Sequence, residues 1–166
     1  MNEIREGFQY LNGNRRLFWI IALSYVIALV GAPYQRFLPM FATNILHVGP
    51  TGFGALVAAP GVGATFAALT LASLRGTHPS LLMICSCALA FGIVLGLFAF
   101  SHSFAFSLFL LALTGFFFIA FRASSNTAIQ SDTPRHLLGR VLSLFFMDRG
   151  LWSLGGLLIG SSAARL

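Results

Sequence analysis

Residues 140–163 make one long apolar run into which two full charges, Asp148 and Arg149, are set side by side. A run of this length fits a helix that crosses a bilayer, whose hydrocarbon core of about 30 Å takes about 20 apolar residues to span. Measured from Arg140 at about 1.5 Å per residue, Asp148 would lie about 12 Å deep. About a dozen apolar residues between Val141 and Ile159, at roughly −0.3 to −0.6 kcal/mol each, favour insertion by about 5 kcal/mol, whereas two central charges oppose it by about 5 to 7 kcal/mol. The helix is therefore marginal by itself and is expected to pack against neighbours that cover its charges.

The rest of the chain follows the same pattern. Of its 166 residues, 57% are hydrophobic and 8% charged, with a mean hydropathy of +0.86; a soluble domain carries about 25% charged residues. A soluble globule is excluded. The expected fold class is an all-α membrane protein, a bundle of five transmembrane helices over about 17–40, 51–74, 81–101, 104–125 and 140–163. Ahead of them, residues 1–16 space Ile4, Phe8 and Leu11 at helical intervals among Glu3, Arg5, Glu6, Arg15 and Arg16. That segment lacks the apolar core of a signal peptide and reads as an amphipathic helix on the cytoplasmic membrane surface.

All ten basic side chains are arginine. They flank or interrupt apolar runs, so they do not build a solvated basic face for nucleic acid; the expected partner is the lipid bilayer. If the spans alternate, Arg5, Arg15, Arg16, Arg75, Arg122, Arg135 and Arg140 fall on one side, while the loops 41–50 and 101–103 carry no arginine and Arg165 alone falls on the other. The positive-inside rule then puts the N-terminus in the cytoplasm.

Small residues recur at four-residue spacing as Ala59, Gly63 and Ala67 in the second span and as Gly156 and Gly160 in the fifth. Such stripes let helices approach closely, and Pro60 is expected to bend the second span. Cys85 and Cys87 point to different faces of one helix and read as inert packing residues. His47, His78, His102 and His136 are placed in loops without metal-ligand spacing, so no metal or cofactor is expected. No catalytic residue is assigned: the spans offer neither paired aspartates nor a serine motif with a histidine partner, which disfavours an intramembrane enzyme.

Asp148 and Arg149 lie about 100° apart around a helix and do not share a face. Asp148 is the only acid embedded in a span, which makes it the candidate proton carrier if it faces a water-filled cavity. The other reading is an ion-pair network that locks neighbouring helices, with Arg149 snorkelling to the cytoplasmic surface. Arg36, beside Tyr34 and Gln35 near the outer end of the first span, either snorkels or binds an anionic group of a substrate.

Several short patterns stand in a telling order: Glu6-Gly7 with Tyr10-Leu11, Leu38-Pro39 with Phe41-Ala42, and Ala58-Ala59-Pro60-Gly61-Val62-Gly63-Ala64. They are followed by Asn126-Thr127, Gln130, Pro134, Gly139-Arg140-Val141, Ser143, Leu154-Gly155 and Gly160. The chain thereby resembles the major facilitator superfamily of secondary transporters, specifically the second half of the drug and siderophore efflux branch that includes enterobactin and macrolide exporters. The last group is similar to the loop between that family's tenth and eleventh spans, although Leu138 stands where an arginine often precedes Gly139-Arg140. The resemblance implies most of a second six-helix half, truncated before its final helix and working by alternating access against an N-terminal six-helix half. It further implies proton-coupled efflux of a small amphipathic molecule across a bacterial inner membrane, with Asp132, Arg135 and Arg140 latching the cytoplasmic side. The alternative for that cluster is a solvated loop, worth about 0 to 1 kcal/mol per pair. The alternative for the chain is a non-transporting membrane scaffold or a nonfunctional truncated remnant.

Overall fold

The computed structural model describes residues 13–73 and 79–148, with residues 32 and 33 described at the backbone only. The helices are α1 (Arg15–Asn44), α2 (Pro50–Ser73), α3 (Leu81–Ala99), α4 (Phe104–Asp132) and α5 (Arg135–Phe146). The first four are each long and apolar enough to cross a membrane. At about 1.5 Å per residue the 29 residues of α4 reach about 43 Å, more than the hydrocarbon core of about 30 Å. The chain is an all-α, multi-pass membrane protein. Helix α5 carries the first part of the expected fifth span, and residues 149–163 of that span lie outside the described residues. So do most of the expected surface helix, together with Arg75, His78, Arg149, Gly156 and Gly160.

Local chemistry sets the helix ends. Pro50 opens α2, where its missing N–H leaves no intrahelical bond unmade. Ser80 caps α3, its hydroxyl accepting from the Met83 amide at 3.2 Å. Pro134 forces Thr133 into an extended conformation (φ −105, ψ 128), which ends α4, and α5 starts immediately after that proline.

Three placements differ from the sequence reading. Helix α4 runs on past the expected end of the fourth span, about 125, to Asp132, with Arg122 well inside it. His136 sits in the first turn of α5, also not in a loop. Arg15 and Arg16 form the first turn of α1, two residues ahead of the expected start of the first span at about 17.

Helix α4 is the centre of the bundle. Its face toward α2 meets the stripe of Leu56, Ala59, Gly63 and Ala67, all buried. The approach is closest at two glycines: a Cβ on Gly63 would collide with the Ala112 carbonyl, and one on Gly115 would come within 2.6 Å of the Pro60 Cα. Lipid is as apolar as the side chains themselves, so close van der Waals contact of this kind, and not escape from water, holds spanning helices together. On its other flank α4 packs against Ile84, Ala88, Phe91, Leu95 and Phe98 of α3, with the Phe91 and Phe118 rings 5.8 Å apart.

The helices alternate in direction. At one end Arg16 of α1 donates to the Pro79 carbonyl ahead of α3 at 2.6 Å and pairs with Asp132, the last residue of α4, at 3.0 Å. At the other end the Phe41 and Phe98 rings of α1 and α3 lie 4.7 Å apart, close to the turn where the hydroxyls of Ser101 and Ser107 hydrogen-bond at 2.8 Å. Large side chains such as Trp19, Phe66, Leu82, Leu89 and Phe109 point outward and are exposed. In water that surface would aggregate; in a bilayer it is the lipid contact.

Candidate functional site

The buried face of α4 does not stop at Phe121. Ser124, Ser125, Ala128 and Ile129 continue it at helical spacing, and this carries Arg122 into the bundle, ten residues or about 15 Å short of the Asp132 end. From the opposite side α5 brings Asp148, just past its last turn, against the same place. Arg122 Nη1 donates to Asp148 Oδ2 in a charge-assisted pair. The two side chains are 16% and 3% exposed. The guanidinium also lies over the Phe145 ring, 4.9 Å from its centroid, and 5.9 Å from that of Phe146. Tyr25 of α1 fixes the approach of α5, its hydroxyl donating to the Leu144 carbonyl at 2.8 Å.

This pairing answers the energetic difficulty posed by an acid inside a marginal span. An unpaired charge at the centre of a helix in lipid costs about 2.5 to 3.5 kcal/mol even by the mildest scale. Removing one member of a buried ion pair costs about 3 to 5 kcal/mol, because the survivor is left without a counter-charge. Arg122 and Asp148 therefore hold α4 and α5 together only while both are charged.

A cavity of about 580 Å³ opens beside the pair, lined by Phe118, Ile119, Arg122, Asn126, Phe145 and Asp148 among others. On two of these residues, Asp148 Oδ1 and Asn126 Oδ1 are shut away from solvent and lack a hydrogen-bond partner among the described residues. Phe118 and Ile119 also line a second, smaller cavity of about 200 Å³ that reaches Tyr34, Gln35 and Thr114. The two spaces thus adjoin along α4, with one aromatic and one aliphatic side chain between them.

The other residues singled out from the sequence fall as follows. Arg36 is exposed on α1, next to Gln35, whose amide donates to the Tyr34 hydroxyl at 3.5 Å; Arg36 itself does not line either cavity. Asp132 pairs with Arg16, a residue outside the expected cluster, while Arg135 is exposed and Arg140 half-buried on α5. Ala59, Gly63 and Ala67 lie at the α2–α4 contact, away from the ion pair. Arg149, Gly156 and Gly160 are outside the described residues.

The family model for transmembrane secretion effectors matches residues 1–166. The chain belongs to the transmembrane secretion effector family. This family is of the major facilitator type, so the bundle is that of a transporter. No curated protein and no solved structure matches the chain.

Sequence reasoning did not identify Arg122 as the partner of Asp148. A signal was present: small and apolar residues at 121, 124, 125, 128 and 129 keep helical period beyond Arg122, which marks a buried face continuing past it.

Proposed function

We propose that the chain is the C-terminal half of an efflux transporter in the drug and siderophore branch, related to the enterobactin and macrolide exporters. It moves small amphipathic molecules across a bacterial inner membrane by alternating access. The observation that carries this reading is the Arg122–Asp148 pair, buried where the spanning helix α4 meets the end of α5 and beside a cavity. Protonation of Asp148 removes its charge, frees the guanidinium of Arg122 and loosens α4 from α5; deprotonation restores the link. A proton can thus be exchanged for movement at the wall of the cavity.

An N-terminal six-helix half supplies the facing wall, and the N-terminus lies in the cytoplasm. On that side Arg16, Asp132 and the Pro79 carbonyl form the latch, with Arg135 and Arg140 nearby on α5. The close α2–α4 contact at Gly63 and Gly115 keeps this half rigid as it rocks. Arg36, near the outer end of α1, meets an anionic group of a substrate.

The test is proton-driven accumulation of a fluorescent amphipathic drug in inside-out vesicles that contain the chain and an N-terminal six-helix half. Accumulation is expected with both halves and is expected to be lost with Asp148→Asn. Undiminished accumulation by that variant would remove Asp148 from coupling, and no accumulation by any combination would remove the exporter reading.

A further inference from the structure

A groove between α1 and α3 shares no lining residue with the cavity at the ion pair. It has a volume of about 450 Å³ and is walled by Leu23, Ile27 and Val30 of α1 and by Ala88, Gly92 and Ile93 of α3, among others. No charged, amide or hydroxyl side chain lines it among the described residues. Val26 and Leu89 along it are exposed, so it opens toward lipid. Leu23 to Val30 cover about 10 Å of helix, and over that length the volume gives a cross-section of about 45 Å². A helix 10 to 12 Å across takes about 80 Å² or more. The groove is too slender for a helix and suits a single hydrocarbon chain.

One end of the groove leads to a basic corner of the bundle. Arg15, Trp19, Leu23, Val26 and Val30 follow one another on α1 at steps of three or four residues and so share a face of the helix. Arg15 is exposed, and Trp19 is 56% exposed. Arg16, on the neighbouring face, crosses to the start of α3, where it donates to the Pro79 carbonyl just ahead of the Ser80 cap. Arg16 balances Asp132, and Arg15 adds a positive charge that pairs with no acid among the described residues. The first turns of α1 and α3 contain no acid either, and both helices turn the positive ends of their dipoles to this side. Along α1 the groove opens about 12 Å from Arg15 and ends about 22 Å from it. One leaflet of hydrocarbon is about 15 Å thick. A lipid whose phosphate meets Arg15 therefore passes Trp19 at the headgroup boundary and lays the deeper part of a chain in the groove.

We propose that α1 and α3 hold an anionic phospholipid, with its phosphate at Arg15 and one acyl chain in the groove. A polar solute finds no hydrogen-bonding side chain on these walls, and a neutral apolar molecule gains little by leaving lipid for a groove as apolar as lipid itself. The charge of the headgroup supplies the preference, and the groove fixes where the lipid sits. This site is independent of the transport reading above.

The test reads tryptophan fluorescence from the full chain carrying Trp152→Phe, which leaves Trp19 as the sole tryptophan. The protein is placed in phosphatidylcholine vesicles that contain a small fraction of either phosphatidylglycerol or phosphatidylcholine with brominated chains, which quench an indole on contact. Brominated phosphatidylglycerol is expected to quench as a ligand bound about fivefold more tightly, the preference that one arginine confers near anionic headgroups. Arg15→Gln should abolish that preference. Gly92→Leu fills the groove, and because a Cβ there enters open space the fold can accept it; it should at least halve the preference with Arg15 still in place. Equal quenching by the two lipids in the parent chain would overturn the proposal. So would no quenching by either, the result expected if protein such as a second copy covers the groove. A preference that survives Gly92→Leu undiminished would reduce the effect to attraction at a basic surface and overturn the site, and one that survives Arg15→Gln would overturn it as well. Native mass spectrometry of the unmodified chain, released from vesicles with equal parts of the two lipids, checks the same claim without any variant: retained phosphatidylglycerol is expected, and its absence would contradict the site.

Discussion

At the scale of single residues, the molecule turns on two charged side chains that lipid would not tolerate alone. Asp148 is buried and Arg122 nearly so, and each is the other's counter-charge. Arg122→Leu or Asp148→Asn should therefore destabilise the bundle in detergent by about 3 to 5 kcal/mol, since each leaves a charge buried and unpaired. The double variant Arg122→Leu with Asp148→Leu should recover most of that loss, and denaturant titration of the four species measures the coupling directly. The contrast with Arg16 and Asp132 is instructive. Their side chains are 37% and 23% exposed, so water screens the pair; Arg16→Gln should cost no more than about 1 kcal/mol by the same titration. Any larger effect of Arg16→Gln on transport than on stability would mark a gating role.

At the scale of elements, the α2–α4 contact depends on which glycines lie in it. Gly61 and Gly63 are two positions apart on α2. A Cβ at Gly61 meets nothing within 4 Å, whereas one at Gly63 strikes the backbone of Ala112. Gly63→Ala should lower stability by about 1 to 3 kcal/mol through overpacking. Gly61→Ala should be neutral or stabilise by up to about 1 kcal/mol through helix propensity. Thermal unfolding of the two variants side by side reports the difference, and Gly115→Ala should behave like Gly63→Ala because its Cβ would meet Pro60. Helix ends obey equally local rules: Pro134 separates α4 from α5 by denying Thr133 a helical conformation.

At the scale of the whole molecule, the class of fold was legible because bilayer thickness sets the length of an apolar run, and runs of that length fill this chain. The small-residue stripe at 59, 63 and 67 was also legible, as a period of four. Its partner was not, because periodicity shows that a face exists and not which helix covers it; Ala112 and Gly115 emerge only from the packing. The same reason hid the ion pair. Arg122 and Asp148 are 26 residues apart on different helices, and nothing in the order of residues says that those two faces meet. Arg122 was further disguised by following a run of phenylalanines that looks like the end of a span. All of these contacts require that α4 traverse the bilayer from the Ser103 turn to Asp132. Impermeant maleimide labelling of single cysteines in intact cells, with Cys85 and Cys87 replaced by alanine, tests this most directly. Ser103→Cys should react from outside and Ser131→Cys only after the membrane is breached. Reaction of both from the same side would contradict the crossing, and with it the burial of Asp148 against Arg122.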